Sequence, residues 1–161
     1  MTGLAVAKVV KKAKAAFTLI ELVLVAVLLG VIAMIAIPRF GSDATNRLAA
    51  VTTAREIASD MRLARSLAIS NAGTTPQGYA VQMTGGPPYS GYRIVNLTTG
   101  APVSTKTIAG AIVCTGDSEF GFSVLGSLLP GSGTALLVSG DGKQYALALT
   151  PATASVTIQE Q

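Results

Sequence analysis

The sequence contains no histidine, no tryptophan and only one cysteine, Cys114. Without histidine, the Ser/His and Cys/His pairings that usually activate hydroxyl and thiol nucleophiles cannot be built. A lone cysteine excludes an intramolecular disulfide and a cysteine-rich metal site. Charge is also scarce, at 12% of 161 residues. Asp117 and Glu119 lie two apart, and Asp141 sits between Gly140 and Gly142. Either loop offers oxygens to Ca²⁺, but neither has the carboxylates a calcium site needs, and turn chemistry accounts for Asp141. Gly85-Gly86 lacks the following Lys-Ser/Thr and the strand–helix frame of a phosphate loop. The expectation is therefore no catalytic residue, no cofactor and no metal, in a protein that is not an enzyme.

The positive charge that is present is confined to one end. There are 12 Lys and Arg against 8 Asp and Glu, a net +4. Lys8, Lys11, Lys12 and Lys14 all precede Phe17, so the remaining eight basic residues balance the eight acids. Affinity for nucleic acid comes largely from neutralising phosphates. A chain whose excess charge lies in its first 16 residues is not expected to bind it.

From Phe17 to Ile37 the only charge is Glu21. The run matches the roughly 20 residues of a bilayer span, and a carboxylate inside such a span is costly enough to suggest a function. Positive residues flanking an apolar run stay in the cytoplasm, which places the chain beyond Pro38 outside. A secretory signal has a shorter core followed by a small-residue cleavage site; Ala36-Ile37-Pro38-Arg39 matches poorly. The pair Ala15-Ala16 is the better place to cut, and cutting there leaves the apolar segment on the mature protein.

Lysines, a small residue, then Phe17-Thr18-Leu19-Ile20-Glu21-Leu22 and about 20 apolar residues resemble the class III signal of type IV pilins and type II secretion pseudopilins. The resemblance implies cleavage between Ala16 and Phe17 by a prepilin peptidase/N-methyltransferase and N-methylation of Phe17. It also implies assembly with other pilin or pseudopilin subunits into a helical filament whose core is the apolar helix. The family usually has Gly before the cut; here Ala16 keeps the small size. Pro38 stands where pilins commonly carry a helix-kinking proline, and Pro lacks the N–H that would continue the helix. Once cleaved, the Phe17 amine is a cation four residues before Glu21, and the two can pair between neighbouring subunits. Breaking a buried pair costs roughly 3–5 kcal/mol, so the pair would select register.

A second helix is expected from Asp43 to Asn71. Ala50, Ala54, Ile57, Met61, Ala64 and Ala68 fall on one arc of it, a small-residue stripe that lets another element approach closely. Arg47, Arg55, Arg62 and Arg65 fill the adjacent arc, either as a solvated face pairing with Asp43, Glu56 and Asp60 or as a subunit contact. The two helices end to end would reach about 80 Å at 1.5 Å per residue. Gly73 to Gly78 ends the second. Strands then follow near Tyr79–Met83, Tyr92–Leu97, Val103–Ile108, Ala111–Cys114, Thr134–Val138, Gln144–Leu149 and Ala154–Ile158. Turns are expected at Thr98-Thr99-Gly100 and Gly140-Asp141-Gly142. Cys114 reads as a small buried hydrophobe, with pairing to another chain as the alternative. Tyr79, Tyr89 and Tyr92 either pack around the Gly-Pro loop or form an exposed aromatic patch. Arg62 to Ile69 and Phe120 to Gly126 are similar to segments of the minor pilins and H-type minor pseudopilins.

The resulting expectation is an α+β chain with a pilin-like fold: a long N-terminal helix, half transmembrane and half amphipathic, packed on a C-terminal antiparallel sheet domain. Its parts are a basic leader (1–16, removed), a transmembrane and filament-core helix (17–38), an amphipathic half (39–72) and a β-rich head (73–161). The partners implied are the peptidase, other subunits and the inner membrane. The chain is expected to be single-pass with its N-terminus cytoplasmic and its head extracytoplasmic, before entering a pilus or pseudopilus. The alternatives are a single-pass membrane protein whose β-rich domain binds a ligand without polymerising, and a DNA-uptake minor pilin.

Overall fold

The structure is a computed structural model that describes residues 18–36 and 42–161. The chain divides into two compact units, Met1–Gly41 and Ser42–Gln161. In the first, α1 spans Leu19–Ala36.

The second unit opens with α2, Ser42–Ser70. After it come β1 (Tyr79–Thr84), β2 (Gly91–Asn96), β3 (Pro102–Thr107), β4 (Val113–Gly116), β5 (Glu119–Phe122), β6 (Ala135–Gly140), β7 (Lys143–Leu149) and β8 (Val156–Glu160). Two four-stranded sheets result, ordered β3-β2-β1-β5 and β4-β6-β7-β8. Every pairing is antiparallel. α2 packs on β1 and β5 of the first sheet and on β6, β7 and β8 of the second.

The alanine stripe makes that packing possible. Ala50, Ala54, Ile57, Met61, Ala64 and Ala68 are all fully buried, joined by Ala58. Small side chains bring the helix backbone close to both sheets, and Phe120, Phe122, Ile94, Leu136 and Leu147 fill the space between. Close-packed interiors respond to a change of even one methylene.

Turn chemistry fixes the connections. Asp141 and Gly142 both have positive φ (49° and 74°) between the paired residues Gly140 and Lys143. Two such residues in a two-residue loop match the twist of a β-hairpin. After α2 the chain turns on the Asn71 carbonyl, which accepts from the N–H groups of Thr74 and Thr75. Gly78 closes this turn with φ 78°, and a Cβ there would stand 2.0 Å from the Phe122 carbonyl oxygen.

The expected strands form, with three differences. β5 is an additional strand. It is only four residues long and includes Gly121, a residue that weakens a strand signal. A Cβ there would lie 2.9 Å from Leu129 Cδ1 and Ser132 Oγ, so a larger residue would have to displace those side-chain ends. The strand expected at Ala111–Cys114 begins two residues later, after a turn in which Ile112 N–H donates to the Ala109 carbonyl. The last strand also begins later, because Ala154 adopts φ 47° in a turn closed onto Thr150.

Candidate assembly site

α1 has a defined start. The Glu21 N–H donates to Thr18 Oγ1 at 3.3 Å and to the Thr18 carbonyl at 3.1 Å, and Leu22 N–H donates to the same carbonyl. Thr18 is thus the N-cap and Glu21 the third helical residue, half of a capping box. The helix dipole favours a carboxylate in this first turn. Sequence reading assigned Glu21 but missed the role of Thr18. The signal was present, since Thr18-Leu19-Ile20-Glu21 is a Thr-x-x-Glu pattern directly before an apolar run.

The sides of α1 are apolar all the way round. Every described side chain from Thr18 to Met34 is exposed, from 48% at Val25 to 83% at Leu19 among the large hydrophobics. Ile20, Val23, Leu24, Val27, Leu28 and Val31 make one continuous strip of this surface. A helix apolar on every face is one that is buried on every face in its working state, and an apolar surface this large marks a protein or membrane contact. No helix among the described residues is long and apolar enough to cross a membrane. α1 has 18 residues, about 27 Å at 1.5 Å per residue. The span expected over 17–38 extends past both ends of it. Ala16, Phe17 and Pro38, assigned to cleavage, pairing and the kink, lie outside the described residues.

In the second unit, polar side chains tie α2 to the sheets. Asp60 is buried on α2 and accepts from the Tyr92 hydroxyl at 2.7 Å. Lys106 of β3 reaches both Asp60 (2.8 Å) and Glu56 (2.9 Å). The hydrogen bonds to these two carboxylates raise the Lys106 pKa. Burial, then the hydrogen bond to Asp60, pushes the Tyr92 hydroxyl far above its ordinary value. A lysine of the facing sheet thus takes both acids, in place of the pairing with Arg55, Arg62 or Arg65 that was one of the two expectations; the side chains of Asp43 and Arg47 lie outside the described residues. Arg62 Nη2 instead donates to the Val156 carbonyl (3.1 Å) and Arg65 Nε to the Gly126 carbonyl (2.9 Å).

The other sequence candidates resolve as packing. Tyr79, Tyr89 and Tyr92 are all buried, and the Tyr89 hydroxyl donates to the Gly116 carbonyl at 2.8 Å, so they do not form a surface patch. Cys114 is fully buried, and desolvation raises its thiol pKa to about 11. Asp117 Oδ2 accepts from the N–H groups of Thr134 and Ala135 at the start of β6, and Glu119 lies near Gln82. Among the described residues no three metal-ligating groups come together.

One antiparallel-sheet unit clasping an alanine-striped helix, preceded by an apolar helix, is a pilin-like α+β fold. A likeness to a solved structure shows this directly. The crystal structure of the type IV minor pilin FimU of Pseudomonas aeruginosa superposes with a TM-score of 0.54 at 19% identity, over 76% of this chain and 92% of that one. At that identity the likeness concerns the fold. No protein-family model and no curated protein matches the chain.

Proposed function

We propose that this chain is a structural subunit, a minor one, of a type IV pilus or type II secretion pseudopilus. The carrying observation is α1, apolar and exposed on all sides with one carboxylate held in its first turn, in a chain with a pilin-like fold. Such a helix is stable only when other apolar surface covers it. Lipid covers it first in this reading, and neighbouring helices afterwards. The precursor sits in the inner membrane with its leader cytoplasmic and its head outside. A prepilin peptidase cuts between Ala16 and Phe17 and methylates the new amine. Glu21 then pairs with the Phe17 amine of a neighbour as the subunit enters the filament. The role is structural, without catalysis or cofactor.

Two measurements test this. Mass spectrometry of filament-borne protein should find a chain beginning at methylated Phe17; an intact Met1 leader there refutes the processing step. Glu21→Ala should leave membrane insertion unchanged and reduce filament incorporation at least tenfold, the factor set by about 1.4 kcal/mol. Normal incorporation refutes the pairing. A chain found only in the membrane, uncleaved, favours a non-polymerising single-pass protein.

A further inference from the structure

Two separate stretches, Arg62 to Ile69 on α2 and Phe120 to Gly126 in and after β5, are brought together in the second unit. Arg65 Nε donates to the Gly126 carbonyl at 2.9 Å. Gly126 also rests on Ile69, since a Cβ there would stand 2.9 Å from Ile69 Cδ1. Arg62, one helical turn earlier, donates to the Val156 carbonyl of β8 at 3.1 Å. Charge alone does not set this pair apart, because Arg55 and Arg93 also stand outside the ion pairs of Lys106 and Lys143. Anchoring does. Arg93 is tied to the Gln82 side chain and through it to Glu119. Arg62 and Arg65 are both held on main-chain carbonyls beside one groove.

That groove, of about 330 Å³, is lined by Arg62, Arg65, Ser66, Ile69 and Ser70. Each guanidinium uses one N–H direction on its carbonyl and keeps others free, since arginine has five donors in a fixed fork. A fork already held in place loses less freedom when it grips a carboxylate. The turn beside the groove is fixed as well. Gly126 N–H donates to the Ser123 carbonyl and Ser123 N–H to the Ser127 carbonyl, and the two serine hydroxyls share a hydrogen bond of 2.8 Å. So stitched, the turn holds Leu125 out in solvent at 89% exposure, with Ile69 half-exposed near its base.

We propose that this surface docks a different subunit of the same filament, one that sets an Asp or Glu between Arg62 and Arg65 and an apolar side chain against Leu125 and Ile69. The proposal rests on the filament reading above. Charge complementarity names the carboxylate, and the apolar half names a protein as its bearer. A free phosphate would use the guanidinia and leave Leu125 idle. Single-stranded nucleic acid stacks its bases on aromatic rings, and the rings of Phe120 and Phe122 beside this turn are buried. Lipid would use Leu125 and Ile69, but two side chains bury little apolar area against a membrane. The acid comes from another polypeptide, because the described acids of this unit are already engaged. Glu56, Asp60 and Glu160 have lysines, Asp117 has two main-chain N–H groups, Glu119 has Gln82, and Asp141 is engaged too. A minor subunit also has other chains as its neighbours.

The test uses the full-length chain with the photo-reactive p-benzoylphenylalanine in place of Ser70, an exposed residue of the groove. Filaments assembled in the producing cells are irradiated, and the joined peptides are identified by mass spectrometry. The expected product links this chain to another filament subunit at a peptide containing Asp or Glu. Arg62→Glu and, separately, Leu125→Ser should each lower its yield about tenfold, the scale of one lost anchoring residue. Arg55→Glu, at an exposed α2 position outside the groove, should leave the yield unchanged. Changing the partner's acid to arginine should restore the product with the Arg62→Glu chain. Leu125 is exposed, so its variant tests the surface even where Arg62→Glu fails to fold. Cross-links only to copies of this chain, only to lipid, or to a peptide without an acid overturn the proposal. So does a yield indifferent to Leu125→Ser or to a folded Arg62→Glu chain, or one lowered equally by Arg55→Glu. A chain that enters filaments but gives no cross-link overturns the docking surface and leaves the filament reading standing. Failure of the unaltered chain to enter any filament overturns both.

Discussion

Replacing Tyr92 by Phe removes one hydroxyl from the contact between α2 and the first sheet and leaves the ring in place. Tyr92 is 2% exposed and its hydroxyl donates to Asp60 at 2.7 Å. A hydrogen bond to an ionised group contributes about 1.5–3 kcal/mol. In the variant, the Asp60 carboxylate keeps Lys106 at 2.8 Å, so it is not left buried without a partner. The cost should therefore fall at the lower end, about 1.5–2 kcal/mol. Asp60→Ala should cost more, about 2–3 kcal/mol, because it leaves the Tyr92 hydroxyl buried and without its acceptor. Lys106→Met should cost about 1.5–3 kcal/mol: its pair with the exposed Glu56 is weak, but it also takes the counter-charge from the buried Asp60.

The assay is urea denaturation followed by far-UV circular dichroism on the unit Ser42–Gln161, which contains the whole hydrophobic core. Combining Tyr92→Phe with Asp60→Ala should cost less than the sum of the singles by about 1–2 kcal/mol, because both break one bond. A Tyr92→Phe cost below about 0.5 kcal/mol, the size typical of inert surface changes, with additivity in the double variant, would refute the assignment. The same bond carries a pH signature. The hydroxyl's pKa is raised in the folded state from an ordinary value of 10.0. Its contribution is thus complete below about pH 10 and is lost as pH rises beyond it. Tyr92→Phe should remove that alkaline decline.

Three further outcomes follow from the packing. Ala64→Leu inserts a large side chain where the helix meets the sheets with no exposed surface; it should destabilise by about 1–3 kcal/mol, measured by the same denaturation. Gly78→Ala meets the Phe122 carbonyl at 2.0 Å with a positive φ; it should cost more than the roughly 1–3 kcal/mol of backbone strain alone, seen as loss of the cooperative transition at moderate urea. Cys114, with its thiol pKa raised to about 11 from 9.0, should resist maleimide near neutral pH and react in urea. Ionising it in the folded state is disfavoured by burial, so stability is unaffected below about pH 9 and declines as pH rises from there through about 11.

What the sequence made legible follows periodicity. The six-residue stripe of α2 could be placed by spacing at 100° per residue, and all six residues are fully buried, because a helix on two sheets has one inward face. Strand positions followed from runs of β-formers between Gly and Pro punctuation. β5 escaped because it is four residues long and one of them is Gly121, which hides the strand from propensity. The pairing of charges escaped for a different reason. Glu56 and Asp60 lie near arginines along the helix, but their partner Lys106 is 50 residues from Glu56 in sequence, and only the register of β3 brings it there. Thr18 was legible and missed, since its hydroxyl is silent until one asks where the first N–H groups of α1 go.

Asp60 and Glu21 show what separates the two units chemically. Both are carboxylates on helices with much apolar surface nearby. Asp60 is buried, and the chain supplies its own donors, a tyrosine hydroxyl and a lysine from the adjoining sheet. Glu21 receives only the help of a helix N-terminus, and among the described residues no cation stands against it. While α1 is exposed, water solvates that carboxylate and nothing more is needed. Once the apolar surface around it is covered, the water goes, and an unpaired carboxylate in such surroundings costs several kcal/mol. The covering surface must therefore bring a positive charge with it or leave Glu21 in contact with water. Lipid can satisfy the second condition only near the headgroups, which suits a residue in the first turn of the helix. A packed bundle of identical helices can satisfy the first, provided each helix begins with an amine within reach of its neighbour's Glu21. Under the proposed processing, the methylated Phe17 amine would be such a group, and a chain still bearing its leader would lack it.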